Sequence, residues 1–251
     1  MGKRATTAVI LAVLFLQTAF IGCKKTEQPA PRSRLVGGEH VEQMVRKSLE
    51  EAKKSVAATV NSVPITQFAI LREMSMIAPQ YAGSGQEPTP EQRAKIRSDA
   101  LENLIFRELG VQEAKKRGMH VKQETIDAAI KSVIAKEGSP EAYRKYLEYN
   151  GQTEAELREQ IEQDALFDLI AAQEVNAKIK ITDAELRKRY DEGKSGLKDP
   201  AHKQLTFEAA KGMLEQRLRA EATEKRLHAW EKELKKNAKI EILEKKQKAA
   251  R

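Results

Sequence analysis

Apolar residues recur at helical spacing through most of the chain and alternate with polar ones only in short stretches far apart. Val56-Ala-Ala-Thr-Val60 and Val63-Pro-Ile-Thr66 flank Asn61-Ser62. β-Branched residues around a two-residue polar turn predict a β-hairpin, and Asn tolerates the left-handed backbone such turns require. Pro64 has no N–H for a ladder, so its strand belongs at an edge. Ala238-Lys-Ile-Glu-Ile242 alternates cleanly and predicts a strand at the far end. An isolated hairpin is marginal in water. The expected partner of Val56–Ile65 is therefore Lys239–Leu243, in a three-stranded sheet that closes a helical domain end to end.

The intervening pattern predicts helices with recognisable starts and stops. Thr66 caps a helix to about Ile77, which Pro79 ends. Residues 83–90 form a loop, and Thr89-Pro90-Glu91 opens a helix to about Arg117. That helix carries two adjacent stripes, Ile96/Ala100/Leu104/Val111 and Leu101/Ile105/Leu109, a face wide enough to need more than one neighbour. After Gly118, helices follow from about Glu124 to Lys136 and, beyond Ser139-Pro140, to Tyr149. Thr153-Glu-Ala-Glu156 has capping-box spacing before a long helix, and Ile179-Lys-Ile181 looks extended. Thr182-Asp-Ala-Glu185 starts a helix to about Asp191, residues 192–205 form a loop, and a last long helix spans about Thr206 to Lys236. His40 to Lys54 reads as a short charged helix with Val41, Met44, Val45 and Leu49 on one side.

The N-terminal pattern is different. Lys3 and Arg4 precede the apolar run Ala8–Leu16, which passes through Phe20-Ile21-Gly22 into Cys23. A charged start, a short apolar stretch and a small residue before the cut describe an export signal. The run is too short to span a bilayer, which takes about 20 apolar residues. Phe20-Ile21-Gly22-Cys23 resembles the lipobox of bacterial lipoproteins, with Phe20 where Leu is usual. The resemblance implies acylation of Cys23, which becomes the first mature residue, and Lys24 after it implies sorting to the outer membrane. Lys24 to Glu39, with Pro29, Pro31, Gly37 and Gly38, reads as a tether. Its 16 residues reach roughly 22 Å as a random coil and at most about 55 Å extended.

Composition narrows the partners. Charged residues make up 33% of the chain and aromatics 5%, against 40% apolar, the balance of long helices with enough material for a core. Removing residues 1–22 takes away Lys3 and Arg4 and no acids, so the net charge falls from +8 to +6. An exported protein rarely meets nucleic acid, so this charge points to anionic headgroups or acidic polypeptide. With one cysteine, no intramolecular disulfide forms. His40, His120, His202 and His228 lack metal-ligand spacing, and no phosphate-cradling glycine loop is present. Acids such as Glu50-Glu51 and Asp183/Glu185 suit solvated faces and helix starts. The expectation is a chain with no catalytic residues, no metal and no cofactor.

The order of elements resembles the chaperone domain of the SurA/PrsA/PpiD group of envelope folding factors. The segments that carry it are Val56–Thr66, Leu101-Glu-Asn-Leu-Ile105 leading to Glu113–Gly118, Thr182–Tyr190 and Trp230–Ile242. Asn61-Ser62 departs from the Asn-Gly usual in that hairpin. The resemblance implies a mostly α, SurA N-terminal-like helical chaperone domain with a small sheet made by the hairpin and the C-terminal strand. Members commonly carry a parvulin prolyl-isomerase domain before the last long helix. Here only residues 191–206 separate Tyr190 from Phe207, and a domain needs about 50 or more, so the isomerase module is expected to be absent.

The expected organisation is an export signal over 1–22, a lipidated tether and short helix over 23–54, a helical domain over 55–243 and a basic tail over 244–251. The resemblance implies a holdase for unfolded or extended polypeptides, such as outer-membrane or secreted proteins, held to the membrane by the lipid on Cys23. Candidate client contacts are Met74, Met76, Ile77 and Tyr81 beside the 83–90 loop, because methionine adapts to varied apolar surfaces, and Tyr143 and Tyr146, which can stack on peptide with wet hydroxyls. Core packing is the competing reading for each. Two other functions stay open: a structural lipoprotein with one fixed envelope partner, and a prolyl-isomerase-related folding factor.

Overall fold

The computed structural model describes residues 38–81, 87–193, 196–198 and 203–243, with side chains from residue 43 onward. The expected export signal, Cys23, the expected tether up to residue 37 and the basic tail lie outside the described residues. Helix α1 (Gly38–Lys54) leads into the hairpin β1 (Val56–Val60) and β2 (Val63–Thr66). Helices α2 (Gln67–Ile77), α3 (Pro90–Lys116), α4 (Gln123–Glu137), α5 (Pro140–Tyr149), α6 (Glu154–Glu174), α7 (Asp183–Gly193) and α8 (Phe207–Lys235) follow, and β3 (Ile240–Ile242) ends the fold. Among the described residues the architecture is mostly α with one small antiparallel sheet of order β2-β1-β3.

The caps expected at Thr66, Thr89 and Thr153 are formed, and Ser139 and Thr206 add two more. Thr66, Thr89, Ser139, Thr153 and Thr206 each accept a backbone N–H at the start of their helix, with reciprocal capping boxes at Thr89/Gln92 and Thr153/Glu156. Such a cap is worth about 1 kcal/mol. In the hairpin, Asn61 (φ 50°) and Ser62 (φ 73°) both take the left-handed backbone of a two-residue turn. Asn61 then locks the turn to its surroundings. Its N–H donates to the Lys239 carbonyl at 2.8 Å, its Oδ1 accepts from the Lys239 N–H at 2.8 Å, and its Nδ2 donates to Gln112 at 2.8 Å. One residue thereby ties the hairpin to α3 and to the residue that leads into β3.

Helix α3 is buried by two sets of partners, but the division does not follow its two stripes: of their residues Val111 alone faces the second set. One core joins Ala57, Ala58, Val60, Ile65, Ile70 and Ile77 to Ile96, Ala100, Leu101, Ile105 and Leu109, so sheet and α2 cover one side of α3. The other joins Phe106, Val111 and Ala114 to Leu166, Phe167 and Ile170 of α6 and Trp230 of α8. Phe106 meets Phe167 and Trp230 edge-on with ring centroids 5.3 and 5.2 Å away. Gly110 makes this approach possible, since a Cβ there would stand 2.6 Å from the Phe167 ring. Smaller clusters hold α7 to α8 through Leu186, Leu197, Ala210 and Leu214, and α4, α5 and α6 through Ile130, Tyr143 and Leu157.

A polar node fixes the C-terminal ends of α3 and α6 to the middle of α8. Glu174, at the last turn of α6 and 8% exposed, accepts from Arg117 at 2.7 Å, from Arg226 at 3.3 Å and from Lys178. Arg226 Nε also donates to the Glu174 carbonyl at 2.8 Å, supplying a donor to the open end of α6. The bond from Lys178, followed by that from Arg117, holds the Glu174 carboxyl down to a pKa of about 2, although partial burial acts the other way.

Candidate functional site

Helix α1 is charged over most of its surface but keeps Met44, Val45 and Leu49 along one side. Its C-terminal half is pinned. Lys53 Nζ bonds Glu156 at 3.0 Å and stands 5.4 Å above the Phe68 ring. A Cβ added at Gly151 would come 3.2 Å from Leu49 Cδ1, so the α5–α6 turn closes tightly over that leucine. Nearer the N-terminus, Met44 and Val45 stay 59% and 54% exposed, and Leu71 of α2 stays 48% exposed. Together with Ser48 and Leu49 they line a hollow of about 380 Å³.

This hollow is open, apolar apart from Ser48, and free of charged lining groups. It has the size of a small-ligand pocket but lacks the convergent polar groups that fix a ligand's orientation. What it offers is non-directional burial for apolar side chains, with a flexible methionine on its wall.

The wall carrying Leu71 is held firmly. Its neighbour Arg72 donates to Gln160 of α6 at 2.5 Å, and burial pushes the Arg72 guanidinium down from its ordinary value. The buried carboxylate of Glu73 accepts from Asn103 of α3 at 3.1 Å, and Arg107 pairs with Asp164 at 2.5 Å. These bonds lock α2 to α3 and α6.

The residues proposed from sequence are distributed between two clusters and do not converge. Ile77 is 5% exposed, in the core beneath the sheet, where Met74 and Tyr81 pack half-buried. The Tyr81 hydroxyl bonds Asp99, and burial with that carboxylate pushes its pKa up to about 12. Of this group Met76 alone is open, at 58%. Tyr143 is 5% exposed in the α4–α5–α6 cluster, its hydroxyl without a partner among the described residues, and Tyr146 is half-buried beside it. Tyr149, at the end of α5, is 88% exposed. The hollow was only half legible: the apolar side of α1 is visible in the sequence, whereas Leu71 joins it across the fold.

Among the described residues no three His, Cys, Asp or Glu stand together to hold a metal ion. No helix among them is long and apolar enough to cross a membrane. Between α7 and α8 the chain is short. Leu205 N–H donates to the Leu197 carbonyl at 2.8 Å, and the Tyr190 hydroxyl donates to the Leu205 carbonyl at 2.6 Å.

A family model described as the SurA-like N-terminal domain matches residues 5–171. The chain belongs to this family. It is similar to chaperone SurA of Bordetella pertussis, 28% identical over 166 residues, covering 66% of this chain and 28% of that protein. It is also similar to chaperone SurA of Alcanivorax borkumensis, 28% identical over 133 residues, covering 52% of this chain and 30% of that protein. Foldase protein PrsA of Caldanaerobacter subterraneus is 24% identical over 191 residues, with 76% of this chain and 53% of that protein covered. The chain thus spans less than a third of these two SurA relatives. A solved structure from work on SurA-like chaperones of Campylobacter jejuni matches with TM-score 0.47 and 13% identity, over 76% of this chain and 100% of that one.

Proposed function

We propose that this protein is an envelope chaperone, tethered to the periplasmic face of the outer membrane by a lipid on Cys23, that holds unfolded or extended polypeptides without catalysing their isomerisation. Membership of the SurA-like N-terminal domain family supports the chaperone role, as do the names of the SurA relatives. The observation that carries a holding mode is the open hollow between α1 and α2. Its lining of Met44, Val45, Leu49 and Leu71 suits apolar side chains of many shapes and demands no sequence. The short α7–α8 connection agrees with a function that needs no inserted isomerase domain.

Dilution of a urea-unfolded outer-membrane protein into buffer tests this reading. The mature chain suppresses light scattering at near-equimolar ratio, and the double variant Met44→Glu/Leu71→Glu loses most of that effect while its circular dichroism is unchanged. A folded wild-type chain that suppresses nothing refutes the reading. Cys23→Ser moves the protein from the membrane to the soluble fraction without unfolding it. Unaltered membrane association of that variant refutes the tether.

A further inference from the structure

Among the described residues the sheet is closed on one edge and open on the other, and the difference is written in backbone polarity. Antiparallel pairing sets Ala58 opposite Ile242, Thr59 opposite Glu241 and Val60 opposite Ile240. Leu243 N–H donates to the Ala57 carbonyl and Asn61 N–H to the Lys239 carbonyl, both at 2.8 Å. Residues 239, 241 and 243 therefore direct their backbone groups inward to β1. The N–H and C=O of Ile240 and Ile242 point the other way, and β3 has no further strand neighbour among the described residues. On the opposite edge, Pro64 lies across from Thr59, whose own backbone groups face β3. Its ring nitrogen thus occupies the outward position of β2, where no donor can be offered.

Side chains mark the same opening. Ile240 and Ile242 lie opposite Val60 and Ala58, both fully buried, so they are on the core face of the sheet. Ile240 packs half-buried against that core, but Ile242 is 61% exposed, so the core stops short beside the open edge. On the other face Lys239 and Glu241 form an ion pair at 2.8 Å. An incoming strand would thus find backbone donors and acceptors, an apolar neighbour on one face and charges of both signs on the other.

We infer that the outer edge of β3 takes an extended polypeptide as a fourth antiparallel strand, recognised by its main chain and by an apolar side chain set beside Ile242. This mode needs no particular sequence, because every residue except proline brings the same N–H and C=O. It rests on the polypeptide-binding reading above and adds a second kind of contact to the apolar hollow. A second copy of this chain is a poor occupant. Three residues of strand span about 10 Å, and a β3–β3 pair falls far short of the roughly 1,200 Å² that stable interfaces bury. A transient strand from an unfolded chain has no such requirement.

The test uses the intact mature protein, isotope-labelled, and a peptide of alternating threonine and valine flanked by glutamates. Peptide slows hydrogen exchange at the Ile240 and Ile242 amides at least tenfold, with little change at Glu241 and Leu243, which are already bonded to β1. The same peptide N-methylated along one edge keeps its side chains but loses binding. Ile242→Pro removes one outward donor and leaves the β1 ladder intact, so affinity falls at least fivefold with an unchanged melting temperature. Equal binding of the N-methylated peptide overturns the edge proposal. So do shifts confined to Met44 and Leu71, an outcome that leaves the hollow in place as the binding site. Absence of both peptide binding and aggregation suppression overturns the edge and the chaperone reading together. Self-association abolished by Ile242→Pro would make β3 a contact between copies and overturn its assignment to foreign chains.

Discussion

Glu174→Gln isolates the electrostatic node that joins α3, α6 and α8. The native carboxyl has its pKa lowered from 4.5 to about 2, chiefly by Lys178 and Arg117, and each unit is worth about 1.4 kcal/mol, so the ion pairs contribute at most about 3.5 kcal/mol. Two features reduce this. Arg117 is 38% exposed and also bonds Glu113, and Arg226 also bonds Glu233, so neither guanidinium is stranded by the substitution. Solvent screening of such a site brings the expected loss at neutral pH to about 1.5–2.5 kcal/mol. The direction with pH follows from the depressed pKa. Above the unfolded-state value, both folded and unfolded carboxyls are ionised and the full stabilisation is present. As pH falls from about 5 to 2 the unfolded chain takes up the proton first, and the stabilisation drains away. Urea unfolding followed by the fluorescence of Trp230, the chain's only tryptophan, reports this directly. The gap between wild type and Glu174→Gln is largest near neutrality and closes toward about pH 2. Titrating groups away from the node are common to both proteins and cancel. Parallel stability profiles across that range would refute the assignment of Glu174 as a paired, ionised node.

Three further substitutions probe packing and backbone. Gly110→Ala places a methyl 2.6 Å from a Phe167 ring held by Phe106 and Trp230. The overpacking cost of about 1–3 kcal/mol exceeds the gain of about 1 kcal/mol in helix propensity, so thermal denaturation shows a lowered midpoint. Ser62→Gly relieves a serine held at φ 73° and raises the midpoint by about 2–4 °C, corresponding to about 1 kcal/mol. Tyr143→Phe removes a buried hydroxyl that bonds nothing among the described residues; it stabilises by about 0.5–1 kcal/mol in urea titrations and leaves aggregation suppression intact.

What the sequence carries well here is local. The hairpin is announced by β-branched residues around Asn61-Ser62, and the helix starts by threonines and serines whose oxygen meets a backbone N–H three residues on. The distant strand was legible because alternation at 238–242 had no other use and the hairpin lacked a partner. Only Ile240–Ile242 form it, since Ala238 is spent on the turn out of α8. Long-range facts were out of reach. The spacing of Tyr143 and Tyr146 shows that they share a side of α5, but not that α4 and α6 cover it. Gly110 reads as a weak point in α3 until Phe167 and Trp230 arrive from α6 and α8. Glu174 did leave a trace, because an acid in the last turn of a helix opposes the helix dipole unless cations are brought to it.

The two proposed contacts are individually weak, and their weakness has a consequence. Burying two or three apolar side chains in the hollow contributes roughly 5 kcal/mol, and association alone costs at least about 4 kcal/mol. A few backbone bonds at the β3 edge add about 1 kcal/mol each. A free domain would therefore bind an unfolded chain only at high local concentration. The tether proposed above would provide it, since linkage to the surface where clients gather raises effective concentration toward the millimolar range. On this account release needs no nucleotide and no structural switch, because each contact is lost as soon as the client buries its own apolar residues and pairs its own backbone. Anchored and freed forms would then differ far more in suppressing aggregation at a membrane surface than in bulk solution. Equal loss in both settings on Cys23→Ser would mean that lipid and domain act as one folded unit and that anchor and binding surface are not separate.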